Sequence, residues 1–268
     1  MSGPQWLRPR WPAPSTVRAA FTLRGGGASR DGYAALNLGA HVGDDPQAVA
    51  HNRARLSAAL ALPAEPVWLE QQHGIRVADL DREGLPCAPA DAAFTRAPGR
   101  VCAVLVADCL PVLFATRHGD AVAAAHAGWR GLAGGVIEAT VCALGAEGAE
   151  LLAWLGPAIG PRRFEIGEEV REACLDADPG CAAAFRRNER GRWLGDLAAL
   201  ARRRLAALGV REVTDESACT FEDPARFYSH RRERPTGRMA ALVWMADGPG
   251  APERGGAVLE SLPAPPGR

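Results

Sequence analysis

The chain has 268 residues, 47% of them apolar, and its 31 basic side chains are balanced by 31 acidic ones. That length and hydrophobic fraction fit one large domain or two small ones with a substantial core, and exclude an intrinsically disordered chain. A formal charge of zero provides no broad basic field, so no nucleic-acid partner is expected.

All 31 basic residues are Arg and none is Lys. Schiff-base and Walker-type chemistry both need a lysine amine and are excluded. The seven cysteines are odd in number and form no CxxC pair, which argues for reduced thiols in a cytosol rather than a disulfide scaffold. The first residues, MSGPQWLRPRWPAPS, contain no apolar stretch of signal-peptide length. The longest apolar run, VCAVLVADCLPVLFA, is interrupted by Asp108 and is too short to span a bilayer. The expectation is a soluble, cytoplasmic protein with no membrane partner, monomeric or weakly homodimeric.

Residues 1–15, rich in Pro and Trp, read as an N-terminal arm. VRAAFTLR reads as the first strand and runs into a Gly-rich turn. A helix follows, with Asp45 as N-cap and Pro46 at the first helical position. Val49, Leu56 and Leu60 fall on one face of it. PVWLEQQHG predicts a strand ending in polar residues. VCAVLVADCLPVLFAT and AVAAAHAG predict two strands joined by the hairpin turn RHGD. The spacing then predicts a helix over GLAGGVIEATVCAL, a strand over ELLAWLGPAIG, helices over GEEVREACLDA and GDLAALARRRLAAL, and a late strand over GRMAALVWM. Residues 247–268, rich in Pro and Gly, read as a mobile tail. The predicted class is α/β (α+β), mixed sheet flanked by helices, in one compact domain over residues 16–246.

The hairpin places chemistry. If His118 and Gly119 form its two-residue loop, His126 lies opposite Pro111, and Cys109 shares its face at the diagonal position. Pro111 is able to bulge the strand, so this register is provisional. His73, in QQHG at a predicted strand end, offers a third borderline donor. Two imidazoles and a thiolate leave one coordination position open, a catalytic zinc set that lowers the pKa of water. The spacings match no zinc-finger pattern. The alternative is a buried Cys with two hydrogen-bonded His, the commoner fate of such residues.

The segments LNLGAHVGDDPQAVAHNRARL, WLEQQHG, ADCLPVLF, AAAHAGWRGLAGG, WLGPAIGPRRFEIGEEV and FYSHRRERPTGRMAALVW follow one another in an order that resembles a known family. It is that of the multicopper polyphenol oxidase or laccase-domain proteins, which includes the bacterial YfiH proteins and the macrophage laccase-domain protein. The resemblance covers roughly residues 17–246, and ADCLP and HAGWRG are its most specific segments. It implies an α/β/β/α-like fold shared with a toxin deamidase. It implies phosphorolysis of adenosine, inosine, guanosine and methylthioadenosine together with adenosine deamination, and therefore purine nucleosides and phosphate as partners. It also implies a metal held by His73, Cys109 and His126, with Zn2+ as the ion and Cu2+ as an alternative occupant of the same site.

The oxidase label meets a compositional obstacle. A multicopper oxidase needs many His ligands, and this chain has six His in all. A blue-copper site commonly wants an axial Met, and only Met239 and Met245 lie within the domain. Laccase is therefore not expected as the principal activity.

Phosphorolysis needs an anion site, for which a planar guanidinium is suited. Arg53, Arg130 in HAGWRG, Arg231 and Arg238 are the candidates. Asn37 in LNLG and Gln72 in QQHG are placed for ribose or base hydrogen bonds. Asp108 reads equally as a structural carboxylate or a general base. His230 stands where the family stretch carries an aromatic residue, which leaves its role open. His41 and His51 are not expected to be ligands. Two rivals remain: a cysteine hydrolase or amidase with Cys109 as nucleophile and His126 as its base, and a metal-binding accessory protein without turnover.

Overall fold

The computed structural model describes residues 3–83 and 88–246, together with the backbone of 257–259. In chain order the elements are β1 (Gln5–Leu7), β2 (Val17–Thr22), α1 (Pro46–Leu60), β3 (Val67–Trp68), β4 (Val77–Asp79), β5 (Ala92–Thr95), β6 (Val101–Val106), β7 (Leu110–Thr116) and β8 (Val122–Ala127). They continue with α2 (Trp129–Gly134), α3 (Val136–Leu144), β9 (Leu151–Leu155), β10 (Glu165–Ile166), α4 (Glu168–Ala177), β11 (Phe185–Arg187), β12 (Trp193–Gly195), α5 (Leu197–Ala207), β13 (Glu212–Asp215), β14 (Met239–Met245) and β15 (Ala257–Leu259). Among the described residues no helix is long and apolar enough to cross a membrane.

The strands form two six-stranded mixed sheets, in the orders β15-β1-β2-β14-β6-β3 and β13-β9-β7-β8-β5-β4, and a small third sheet of β10-β12-β11. Side-chain alternation shows how the large sheets stack. Along β6, Val101, Ala103 and Leu105 pack in one cluster with Leu56 and Leu60 of α1, while Cys102, Val104 and Val106 pack in another with Leu113, Ala115, Val122, Ala124 and Trp154 of the second sheet. The opposite faces of β7 and β8, with Val112, Phe114, Ala123 and Ala125, join Leu132, Val136, Val170 and Leu200 from α2 to α5. The layers are thus α1, sheet, sheet and the remaining helices, the α/β/β/α order that the motifs imply. Both large sheets are covered on both faces, which explains why their strands read as continuous apolar runs.

Local chemistry accounts for the element ends. Asp45 caps α1 by accepting a bond from the Gln47 amide at 2.9 Å, with Pro46 in the first turn. The hairpin register is the expected one, with Pro111 opposite His126. Four predicted elements differ from the observed ones, one of them being ELLAWLGPAIG, which is a strand only over Leu151–Leu155, ahead of Gly156 and Pro157. VCAVLVADCLPVLFAT is two strands rather than one: Ala107–Cys109 turns the chain out of the first sheet and into the second, with Asp108 at φ 91°. PVWLEQQHG forms a strand only at Val67–Trp68, because the polar QQHG segment bonds elsewhere. GLAGGVIEATVCAL breaks at Gly135, whose φ of 99° ends α2 and starts α3.

The arm reading of residues 1–15 gives way at Gln5–Leu7, which pair with β2. Trp6 and Leu7 are buried there, so apolar burial anchors this part of the arm to the first sheet. The mobile-tail reading of residues 247–268 lies outside the described residues, except that the backbone of Ala257–Leu259 pairs in parallel with β1.

Between the sheets, Trp154 of β9 meets Phe21 of β2 with ring centroids 6.2 Å apart, and both side chains are fully buried. Trp154→Ala should lower the unfolding free energy by about 3–5 kcal/mol, through lost transfer energy and the cavity left behind. Urea denaturation checks this, and a loss below about 1 kcal/mol would mean that the two sheets are not held together here.

Candidate functional site

The chain crosses from the first sheet to the second at Ala107–Cys109, and the site lies at that crossing. His126 occupies the same face of β8 as Val122 and Ala124, so its ring lies at the end of the layer between the sheets. Cys109 sits in the turn before β7. His73 comes from the QQHG loop, at φ 59°. The donor atoms of His73, Cys109 and His126 all lie within 4.8 Å of one another, with the three residues exposed, half-buried and buried respectively. Cys109 Sγ is 3.8 Å from His73 Nε2, and the two imidazole rings meet edge to face with centroids 4.8 Å apart.

Asp91, which the sequence reading missed, organises the cluster. Its Oδ1 lies 2.8 Å from His126 Nδ1, which leaves Nε2 of that ring for the cluster. The same carboxylate accepts the backbone N–H groups of Gln72, His73 and Gly74 at 3.0, 2.9 and 2.6 Å. Its carbonyl also accepts the His126 amide at 2.7 Å. Burial works to raise the Asp91 carboxyl, but the bonds from His126 and the loop amides hold it below the usual carboxylate range. Its one legible signal was an isolated acid between Ala90 and Ala92 at the start of an apolar strand, where a charge needs partners.

Two further contacts fix the cluster. Gln71 ties its loop to β6, donating to the Leu105 carbonyl at 2.9 Å and accepting the Leu105 amide at 2.7 Å. Gly128 allows close approach: a Cβ there would lie 3.0 Å from Cys109 Sγ and 3.1 Å from His73 Cδ2. The Asp108 carboxylate is saturated by the hydroxyls of Thr220 and Ser229 at 2.6 and 3.0 Å and the Arg231 amide at 2.7 Å. Those bonds hold its left-handed backbone and so aim Cys109. Asp108 is thereby a structural carboxylate, not a free base.

Electrostatics suit a cation. Burial pushes the Cys109 thiol up, but the His126 charge and hydrogen bonds from both histidines bring it down to about 6. Burial opposes an imidazolium at His126, yet the facing thiolate and Asp91 raise it to about 9. Both directions favour a thiolate beside an imidazolium, whose proton a metal ion would replace. Two nitrogens and one sulfur converging at this distance, with one imidazole oriented by a carboxylate, fit a single tetrahedral ion with an open position. They do not fit a multicopper centre. Among the described residues this is the one His/Cys/Asp/Glu group able to hold a metal, and Met239 Sδ accepts the Tyr228 amide inside the core.

The other expected site residues divide. Asn37 is fully buried, and its amide is saturated by Gly39 on both sides, Asp44 and the Arg238 amide. It has nothing left for a ribose hydroxyl, so the expectation of a substrate contact is corrected: Asn37 shapes its loop. Gln72 is exposed next to His73 and its side chain bonds Glu70 at 3.1 Å. Arg53 gives its Nε and Nη2 to the Leu38 carbonyl at 3.0 and 2.8 Å and stacks 4.2 Å from the Trp68 ring centroid. Arg130 is exposed and covers Trp129 at 4.3 Å. Arg231 directs its guanidinium to the Glu165 carbonyl at 2.7 Å. The exposed His230 is lowered by burial and by the charges of Arg234 and Arg238.

Residues 18–246 match the family described as multi-copper polyphenol oxidoreductase laccase. A Pseudomonas aeruginosa protein named purine nucleoside phosphorylase is 53% identical over 243 residues, 90% of this chain and 99% of its own. The purine nucleoside phosphorylase YfiH of Escherichia coli is 51% identical over 237 residues, 88% of this chain and 97% of its own. Among solved structures, a Neisseria meningitidis protein superposes with a TM-score of 0.86 at 44% identity, covering 90% of this chain and 99% of its own.

Asp91→Asn should keep the fold but weaken metal binding by about 10–100-fold, since His126 loses its orienting anion. Gly128→Ala should weaken it too, by wedging a methyl group between Cys109 and His73. Competition with a chromogenic chelator measures both, and wild-type affinity in the two variants would contradict this account of the cluster.

Proposed function

The chain belongs to the multi-copper polyphenol oxidoreductase laccase family, and on that premise we propose a metal-dependent purine nucleoside phosphorylase that also deaminates adenosine. Its substrates are adenosine, inosine, guanosine and methylthioadenosine, each with phosphate. The observation that carries the reading is the convergence of His73, Cys109 and His126 on one point beside an open surface, in a chain whose relatives of 53% and 51% identity are named purine nucleoside phosphorylases. The six described cysteines are all free thiols, which supports a reducing, cytoplasmic setting.

His73, Cys109 and His126 would hold the ion, Zn2+ on the softness of the set, with Cu2+ competing for the same donors. When bound, it would supply a Lewis acid and a water of lowered pKa, the chemistry that adenosine deamination requires. Asp91 keeps His126 in the tautomer with Nε2 free and locks the QQHG loop. The partly exposed half of the cluster, His73 and Cys109, faces the incoming nucleoside, and Gln72 is the amide nearest to it in sequence. In phosphorolysis a phosphate oxygen bonds to ribose C1′ as the bond from C1′ to the purine breaks. The electron pair leaves with the purine, which takes up a proton, and arginines neutralise the phosphate.

A second reading draws on a specific feature. His126 stands between Asp91 and a Cys109 thiol brought down to about 6, the order of a cysteine hydrolase. Convergence of a second imidazole, His73, on the same sulfur favours the ion, because a nucleophile needs only one base.

Purified, metal-loaded protein should convert inosine to hypoxanthine only when phosphate is present, and adenosine to inosine without it. Loss of no nucleoside under any metal condition would sink the reading. Cys109→Ala should lose the metal, and both activities should fall together by at least about 100-fold, since both depend on one ion. An inactive Cys109→Ala protein that retains its zinc would favour the hydrolase.

A further inference from the structure

Among the described residues, two half-buried arginines lack the acid partners that other arginines have. Arg24, Arg204 and Arg232, all largely buried, pair with Glu233, Glu138 and Glu233 at 2.9–3.1 Å. Arg53 and Arg238 are half-buried, yet their side chains bond only to carbonyls: Leu38 for Arg53, and Thr236 and Gly237 for Arg238. The anionic group nearest to Arg238 in electrostatic terms is Cys109, which belongs to the cluster, and the carboxylates nearest to the two arginines are already engaged. Glu65 takes the Trp68 indole N–H at 2.7 Å, and Asp108 is saturated as described.

The fold brings the two arginines together. Leu38 accepts the Arg53 guanidinium with its carbonyl, while its amide donates to the Arg238 carbonyl at 3.2 Å. The Arg238 side chain runs over Gly39, where a Cβ would come within 2.8 Å of its Cγ, and the Arg238 amide is held by Asn37 at 2.8 Å. Met239 pairs with Val106, which puts Arg238 next to the Ala107–Cys109 turn and so next to the cluster. Half-buried cations with no carboxylate partner carry an uncompensated desolvation cost that an anion would offset. In the same turn the Thr236 hydroxyl, 3% exposed, has no hydrogen-bond partner.

We propose that Arg53 and Arg238 form the subsite for a tetrahedral phosphoryl oxyanion. It takes free phosphate as co-substrate and the phosphoryl group of the sugar phosphate formed from it. The proposal rests on the phosphorylase reading and deepens it, by separating these residues from Arg130, which lies on the Trp129 ring, and Arg231, which bonds the Glu165 carbonyl.

Isothermal titration of the metal-loaded protein with inorganic phosphate alone tests the subsite without any turnover, and a second titration with ribose 1-phosphate covers the product. Both should bind and compete. Arg238→Met and Arg53→Met, on separate elements, should each weaken both affinities by about tenfold or more, the worth of one charge-assisted bond. Arg82→Met, which removes an 87% exposed charge, should change neither. In turnover, KM for phosphate should rise in the two subsite variants with KM for inosine held. Absence of phosphate binding by the wild type, or binding that survives both substitutions, would overturn the subsite. Binding lost in both variants, in a protein that cleaves no nucleoside, would keep the subsite and remove the phosphorylase reading.

Discussion

The site depends on one buried carboxylate. Asp91 accepts backbone N–H groups from Gln72, His73 and Gly74 and bonds the ring of His126, so a single side chain sets the position of two of the three converging donors. The arrangement is self-consistent in energy. An isolated carboxylate that is 1% exposed would be costly, and four donors directed at it offset that cost. The same donors hold His73 at a positive φ, a conformation that a β-carbon resists without outside support.

The scaffold around Asp91 contributes rigidity. His126 and the turn carrying Cys109 project from the edge of a layer filled between two sheets by Phe21, Leu113, Trp154 and Met239. Cys109 follows the crossing from β6 to β7, and Asp108 anchors that crossing to Thr220 and Ser229 more than a hundred residues away in sequence. Long-range hydrogen bonds of this kind make the site a property of the whole domain rather than of a motif.

Arginine does the cationic work in this chain, as no lysine is present. Its planar group allows stacking as well as pairing, seen where Arg53 lies on Trp68 and Arg171 and Arg187 lie on Trp193. Most of the largely buried ones are neutralised by acids, and the contrast with Arg53 and Arg238 gives their position meaning.

The sequence by itself determined the layer composition, α1 with its Asp45 cap and the hairpin register of His126 against Pro111, and it singled out His73, Cys109 and His126, whose side-chain atoms converge, because these rest on periodicity, local turn chemistry and motif resemblance. Tertiary structure decided the rest. The run through Asp108 gave no periodic sign that it changes sheets, since both halves are buried on both faces and apolarity is uniform along it. Asn37 looked like a ligand-facing amide, and only packing showed its bonds taken by Gly39, Asp44 and the distant Arg238 amide. Asp91 carried almost no local signal, because its partners come from the QQHG loop and from β8, and nothing in the spacing of those segments foretells that they meet. Leu38 likewise joins Arg53 to Arg238 across about 185 residues of chain; that proximity is a product of sheet order, which local sequence does not encode.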